Sequence, residues 1–386
     1  MLAAINSARR SIDLSMYELD DRATEAALVG RAHAGVDVRV LLDSAYSGKE
    51  VNTAAASELT ASGVHVAWAP ADQIFHAKYL VVDARVAYIG TGNLVASEYS
   101  TTRDFWIADS TPRDVAAITS TFTTDFTINP GAGAASDGLV WSPGSTSRLV
   151  ALIASAKSSL LVENEEMDSA VIEQALANAA ERGVDVTVVL TEDPSWTTAL
   201  TELAKAGDHV RVLTSDQIYI HAKVICADCS ARAGTVFIGS ENFSTSSLSY
   251  NRELGVITTS LPAIRAVRSA VTSDFAIGRA VGAQTSTAPS AHGASAVTIT
   301  SFKSTIAPGE EDTLAAHTNL ADDSCALSVR LPSGYASESR GLGAATADQS
   351  GNVTWQWEIG PSTRGGTATA SVSCKAGSTE RSFTIT

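Results

Sequence analysis

Two stretches of the chain, Asp72-Gln-Ile-Phe-His-Ala-Lys78 and Asp216-Gln-Ile-Tyr-Ile-His-Ala-Lys223, each deliver a histidine and a lysine two positions apart. In a strand, residues i and i+2 point the same way. His76 therefore shares a face with Lys78, and His221 with Lys223. An imidazole beside an ammonium suits a negatively charged group that must be both attacked and held. An aspartate trails each pair, Asp83 and Asp228. In a continuous strand it would face the other way, so these two are expected to fix a hairpin turn rather than touch substrate. The loops Gly90-Thr-Gly-Asn93 and Gly239-Ser-Glu-Asn242 follow. They offer glycine for close backbone approach, the hydroxyls of Thr91 and Ser240, and the amides of Asn93 and Asn242, all suited to phosphate oxygens. Asp104 and Glu253 come next at matched spacing. Each is expected to accept the Nδ1–H of a histidine, Asp104 serving His76 and Glu253 serving His221, so that Nε2 points at substrate.

These groups sit within a longer internal repeat. Ser11–Asp43 aligns with Ser159–Thr191 without a gap, and both read as strand, amphipathic helix, then Gly-Val-Asp-Val opening a second strand. A second helix and a third strand lead to each His-Ala-Lys segment. A return strand, a further strand and a helix ending in Asp-Phe (Asp125-Phe126 and Asp274-Phe275) close each copy. Alternating strands and helices imply parallel strands with helices on the sheet faces. The expected fold is α/β: two pseudo-two-fold modules with mixed sheets, spanning 1–143 and 144–281. Residues 282–296 have linker composition. Residues 297–386 carry short β-rich runs without helical periodicity, which predicts an all-β, immunoglobulin-like sandwich with Trp355 or Trp357 near a disulfide.

Of the chain's 386 residues, 45% are apolar, enough for a large core, and no apolar run is long enough to span a membrane. The formal charge of −15 comes without any basic run, which disfavours a grip on long nucleic acid, where phosphate neutralisation dominates affinity. The opening residues lack a signal-peptide layout, although a leader removed before Met1 is compatible with them. Cys325 and Cys374 are spaced for a disulfide between two sheets. Cys226 and Cys229 flank Asp228 as C-x-x-C; with no second ligand pair for zinc, a local disulfide stapling a hairpin is expected. Such bridges point to an oxidising, extracellular setting.

The pattern His-x-Lys-x₄-Asp followed by Gly-Ser/Thr-x-Asn, present twice, resembles the signature of the phospholipase D superfamily. The resemblance runs from Ser11 to about Phe275 and leaves out the β region. It implies that both motifs meet at one active site, with no metal or cofactor. His76 would be the nucleophile that forms a phosphohistidine, and His221 the general acid and then base. Lys78, Lys223, Asn93 and Asn242 would hold the non-bridging oxygens. Two departures stand out. Asp104 is one methylene shorter than the family's usual glutamate, and Thr102 replaces the asparagine seen at Asn251. If the shorter acid held His76 less well, the nucleophile's role would pass to His221. The second motif also has a longer stretch before Gly239, which includes Cys229.

The lead reading is a secreted, monomeric phosphodiesterase with an internal pseudo-dimer. It would act on glycerophospholipids by hydrolysis or head-group transfer, with transient contact with a membrane surface. A nuclease or other phosphodiesterase on the same scaffold is the alternative, and a surface-binding protein with a degenerate site is another. Glu18 and Glu166 align near the ends of the first strands, where solvation is the default and the site's rim the alternative. Tyr46 and Trp196 fall in corresponding loops that could border its mouth. Trp68 is expected to pack, and His65 and His209 to face solvent.

Overall fold

The computed structural model describes residues 1–386 except 46–47, 128–129, 132, 231, 282–296, 332–336, 338–340, 361–362, 364 and 375–376. It divides into two compact units, Met1–Gln284 and Thr285–Thr386. The linker expected at 282–296 lies outside the described residues, as does Tyr46.

The first half of the larger unit is a six-stranded sheet in the order His65–Trp68, Asp37–Leu42, Ser11–Met16, Lys78–Val82, Val86–Gly90, Trp106–Asp109. The first three strands are mutually parallel, joined by helices Arg22–His33 and Gly48–Ala61. Lys78–Val82 then runs antiparallel beside Ser11–Met16. Its sequence, Lys-Tyr-Leu-Val-Val, is buried throughout because both faces are covered. Leu80 and Val82 pack with Leu14, Val40 and Leu59. Tyr79 and Val81 pack on the opposite side with Ile118 and Phe122 of helix Pro112–Phe126.

The second half repeats this plan in an eight-stranded sheet: Leu139–Ser142, Glu253–Thr258, Thr235–Gly239, Val224–Ala227, Ser159–Glu163, Asp185–Thr191, His209–Leu213, Arg279–Ala280. Here the expected boundary after residue 143 needs correction. Strand Leu139–Ser142 is hydrogen-bonded to Glu253–Thr258 and belongs to the second half's sheet. The halves also share a core, since Leu254 and Val256 pack with Tyr79, Ile89 and Phe122. Among the described residues no helix is long and apolar enough to cross a membrane.

The smaller unit has a three-stranded sheet (Val297–Ser301, Glu311–Thr318, Asn352–Glu358) and a five-stranded one (Thr305–Ile306, Gly377–Ile385, Gly366–Cys374, Ser324–Arg330, Gly343–Thr346). Residues from both sheets form one core around Trp355 and Trp357, with Cys325 and Cys374 among them. The Cys325–Cys374 disulfide forms. It does not bridge two sheets, however, because the two cysteines face each other on neighbouring strands of the five-stranded sheet.

Several buried carboxyls tie folding to pH. Burial pushes Asp43 up to about 7 and Asp208 up to about 7; Asp125 is pushed up to about 6 by burial, against the opposing Arg252 charge. Neither carboxyl oxygen of Asp208 has a hydrogen-bond partner. Unfolding returns each group to about 3.9, so between about pH 4 and 7 these carboxyls bind more protons in the folded chain than in the unfolded one, outweighing the opposite contribution of His76. Stability therefore rises on acidification through that window, on the order of 1 kcal/mol per pH unit per group. Urea unfolding is expected to give a higher midpoint at pH 5 than at pH 8. Asp208→Asn should flatten the difference and raise stability at pH 8 by about 1–2 kcal/mol. An unchanged slope in that variant would rule out Asp208 as a source.

Candidate active site

The His-Lys segments do not lie inside strands. The ladders begin at Lys78 and at Val224, and the residues just before them pair with the opposite half. Phe75 forms a parallel bridge with Arg252, and the backbone N–H groups of His76 and Ala77 both donate to the Arg252 carbonyl at 2.9 Å. In the second copy, Tyr219–Ile220 pairs in parallel with Thr102–Arg103, and Tyr219 N donates to Thr101 O at 2.8 Å. Each histidine is thus clipped to the segment that carries the other half's acid.

The acids cross over as a result. His76 Nδ1 lies 2.9 Å from Glu253 Oε2, with Ser240 O at 3.2 Å. His221 Nδ1 lies 3.0 Å from Asp104 Oδ1. The expectation that Asp104 serves His76 and Glu253 serves His221 is therefore corrected: each acid orients the histidine of the opposite half. The longer carboxylate holds His76, and the argument for moving the nucleophile to His221 loses its premise. A second crossing braces the first. Arg103, beside Asp104, pairs with Asp274 through Nε at 2.5 Å and Nη2 at 2.7 Å. Arg252, beside Glu253, pairs with Asp125 at 2.9 Å. The aspartates of the repeated Asp-Phe endings are the far ends of these clamps.

Both lysines are fully buried, and only about 8% of each histidine reaches solvent. Each Nζ folds back onto the carbonyl of its own histidine, Lys78 at 2.7 Å and Lys223 at 2.6 Å. A carboxylate only accepts, so the Nδ1 proton of His76 points to Glu253 and the Nε2 lone pair is left outward. Burial pushes the His76 imidazole down to about 4 despite the opposing Glu253 charge, which keeps the ring neutral near pH 7. Burial, and then the Lys223 charge, push the Lys78 ammonium down to about 7.

Thr91 and Ser240, expected to touch substrate, do not reach it. Both are completely buried. The Thr91 hydroxyl donates to Asp104 Oδ1 at 2.6 Å, while Ser240 Oγ accepts from Leu254 N at 3.1 Å. Thr91 thus positions Asp104, and Ser240 helps to hold the Glu253 carboxyl below its usual range. Asn93 donates to Glu18 Oε2 at 3.0 Å, the Asn242 backbone N–H donates to Ser247 Oγ at 2.9 Å, and the Oδ1 atoms of both asparagines are buried without a hydrogen-bond partner. Asp83 and Asp228 act at a distance from the histidines. Asp83 accepts the backbone N–H groups of Arg9, Arg10 and Ser11, and Asp228 those of Lys157, Ser158 and Ser159. Cys226 and Cys229 form the local disulfide around Asp228.

Two site residues were missed from sequence. Tyr17 and Glu165 occupy equivalent positions of the repeat, one residue before Glu18 and Glu166. The Tyr17 ring meets the His76 ring edge-on at 4.8 Å and lies 5.0 Å from Lys78 Nζ. Glu165 Oε2 is 2.8 Å from Lys223 Nζ and 3.5 Å from His221 Nε2. The signal was available as an unlike pair in an ungapped alignment. Glu166 follows; burial, then the neighbouring Glu165 charge, push it up to about 7. Trp196 packs against the second half's core and Trp68 against the first half's. His65 and His209 are exposed, near Asp37 and Asp185.

A family profile described as "Cardiolipin synthase, PLD-like domain" matches residues 1–126 and 149–275, the two halves of the repeat. No curated protein matches the chain. Among solved structures, the polyphosphate kinase of Porphyromonas gingivalis is 17% identical with a TM-score of 0.53, covering 70% of this chain and 47% of that one. The chain thus spans about half the length of that kinase. Phosphatidylserine synthase of Haemophilus influenzae Rd KW20 is 11% identical with a TM-score of 0.53, covering 72% of this chain and 84% of that one. Nuc of Salmonella typhimurium, a phospholipase D family member, is 27% identical with a TM-score of 0.34, covering 37% of this chain and 95% of that one. A profile that matches each half separately, over the same residues that carry the crossed His–acid pairs, makes this chain a member of the phospholipase D superfamily.

Proposed function

We propose that the protein is a phosphodiesterase that removes head groups from glycerophospholipids, by hydrolysis or by transfer to another alcohol. The observation that carries this reading is the joining of two His–Lys pairs in one site, each histidine oriented by the other half's acid. His76 Nε2 attacks phosphorus, the P–N bond forms, and the bond to the leaving alcohol breaks as His221 gives that oxygen a proton. His221 then takes a proton from water or an acceptor alcohol, whose oxygen attacks phosphorus and releases His76. Lys78 and Lys223 neutralise the non-bridging oxygens, and a phosphodiester anion entering beside Lys78 favours its charged form. Lipid is preferred over nucleic acid because the chain carries −15 overall and the site is lined by acids. Glu18 and Glu165 belong to it, and Glu98 is close enough to feel the His221 charge. A polyanion gains little from such a mouth. The two disulfides support a secreted protein. We read the β unit as immunoglobulin-like, serving binding or spacing.

The test uses phosphatidylcholine vesicles and single-stranded DNA in parallel, both in EDTA. Choline release without DNA cleavage is expected. Cleavage of DNA without lipid turnover would overturn the lipid reading in favour of a nuclease on the same scaffold.

A further inference from the structure

The two halves of the site differ at one position that matters for charge. Where the first half presents the Tyr17 ring to its His–Lys pair, the second presents the Glu165 carboxylate. This carboxylate is not a loose surface acid. Its side chain is only 18% exposed. Oε1 accepts from Tyr219 Oη at 2.9 Å, and Oε2 lies against Lys223 Nζ at 2.8 Å and His221 Nε2 at 3.5 Å. Burial opposes its ionisation, but the His221 and Lys223 charges outweigh burial and hold it well below the usual carboxylate range. Under the phosphodiesterase reading, on which this inference rests, Lys223 Nζ and His221 Nε2 are the groups a phosphoryl oxygen must reach. Glu165 already engages both.

We propose that Glu165 is a specificity-determining residue, a resident counter-ion in the phosphoryl seat that sorts ligands by charge. Two ammonium groups, Lys78 and Lys223, face the carboxylates of Glu253, Asp104 and Glu165, and Glu18 also acts on Lys78. A singly charged diester enters against one unit of repulsion from Glu165. A monoester gains its second charge near pH 6 and inorganic phosphate about one pH unit higher, so at pH 7.5 both enter mainly as dianions, against two. At separations of a few ångströms in a partly desolvated site that difference dominates over shape. Diesters are admitted, while dianionic products and free phosphate are turned away. The asymmetry also sets the carboxylate against His221 Nε2, while the first half sets the uncharged Tyr17 ring beside His76.

The test is direct binding to the full chain at pH 7.5, by calorimetry, with inorganic phosphate and dimethyl phosphate as probes. It does not depend on which ester the enzyme turns over. Glu165→Gln is expected to tighten inorganic phosphate by at least about tenfold and dimethyl phosphate by about threefold or less. Glu165→Tyr, which copies the first half, provides a second variant should the glutamine fold poorly, with the same order expected. Equal affinity in wild type and variant, or weaker phosphate binding in the variant, overturns the role given to Glu165 while leaving the seat intact. If neither probe binds any of the proteins, the phosphodiesterase reading falls with it.

Discussion

His76→Ala should lower kcat on phosphatidylcholine by at least about 10⁴-fold, because on the proposed mechanism it removes the atom that bonds to phosphorus. His221→Ala should cost about 10²–10⁴-fold on the same substrate, in keeping with loss of a general acid. The two variants separate when the leaving group changes. A p-nitrophenyl phosphodiester departs without a proton donor, so the first step should recover in His221→Ala and remain absent in His76→Ala. The second step still needs a base, and the covalent phosphoryl adduct on His76 should accumulate in His221→Ala. Intact-mass and peptide measurements would detect it. An adduct on His221 in His76→Ala would reverse the assignment. The structural basis is the neutral ring of His76, pushed down to about 4 by burial and turned outward by Glu253.

The second large effect is expected away from the reacting atoms. The Arg252 and Asp125 side chains are 3% and 1% exposed, and the guanidinium also lies 5.8 Å from both the Phe75 and Trp141 rings. Arg252→Ala leaves a buried carboxylate facing a void and should cost about 3–5 kcal/mol. The loss should shrink towards pH 5, where Asp125 takes up a proton. Replacing both partners, Arg252→Met with Asp125→Leu, should recover most of the stability, since a well-packed apolar pair avoids the desolvation penalty. Urea unfolding of the three variants at pH 8 and pH 5 checks this; a loss below about 1 kcal/mol in Arg252→Ala at pH 8 would refute the clamp. The counterpart Arg103, at 30% side-chain exposure, should matter less.

How much of this could be read from the chain alone depended on the range of the interaction. The modules, their strand order within each copy and the His–Lys pairs are encoded in local periodicity and in the repeat, and both motifs do meet. The trailing aspartates do sit in turns, both at positive φ, but their carboxylates reach backbone N–H groups 73 and 70 residues earlier in the chain, which local periodicity does not encode. What crosses between the halves was not legible. Spacing from Asn93 to Asp104 matches that from Asn242 to Glu253, but spacing within a copy does not say whose histidine an acid will meet. Only the packing of one half on the other decides it. Thr91 and Ser240 were misassigned because a hydroxyl in a glycine loop suits a ligand and a neighbouring carboxylate equally well. The sheet in which Cys325 and Cys374 sit was likewise undetermined by their separation.

Asp104 and Glu253 are exchanged between the histidines of the two halves. Neither copy of the duplication owns a complete catalytic unit, so a change in one acid is felt by the opposite ring. A polypeptide cut between the two copies is therefore expected to work only when both fragments reassemble.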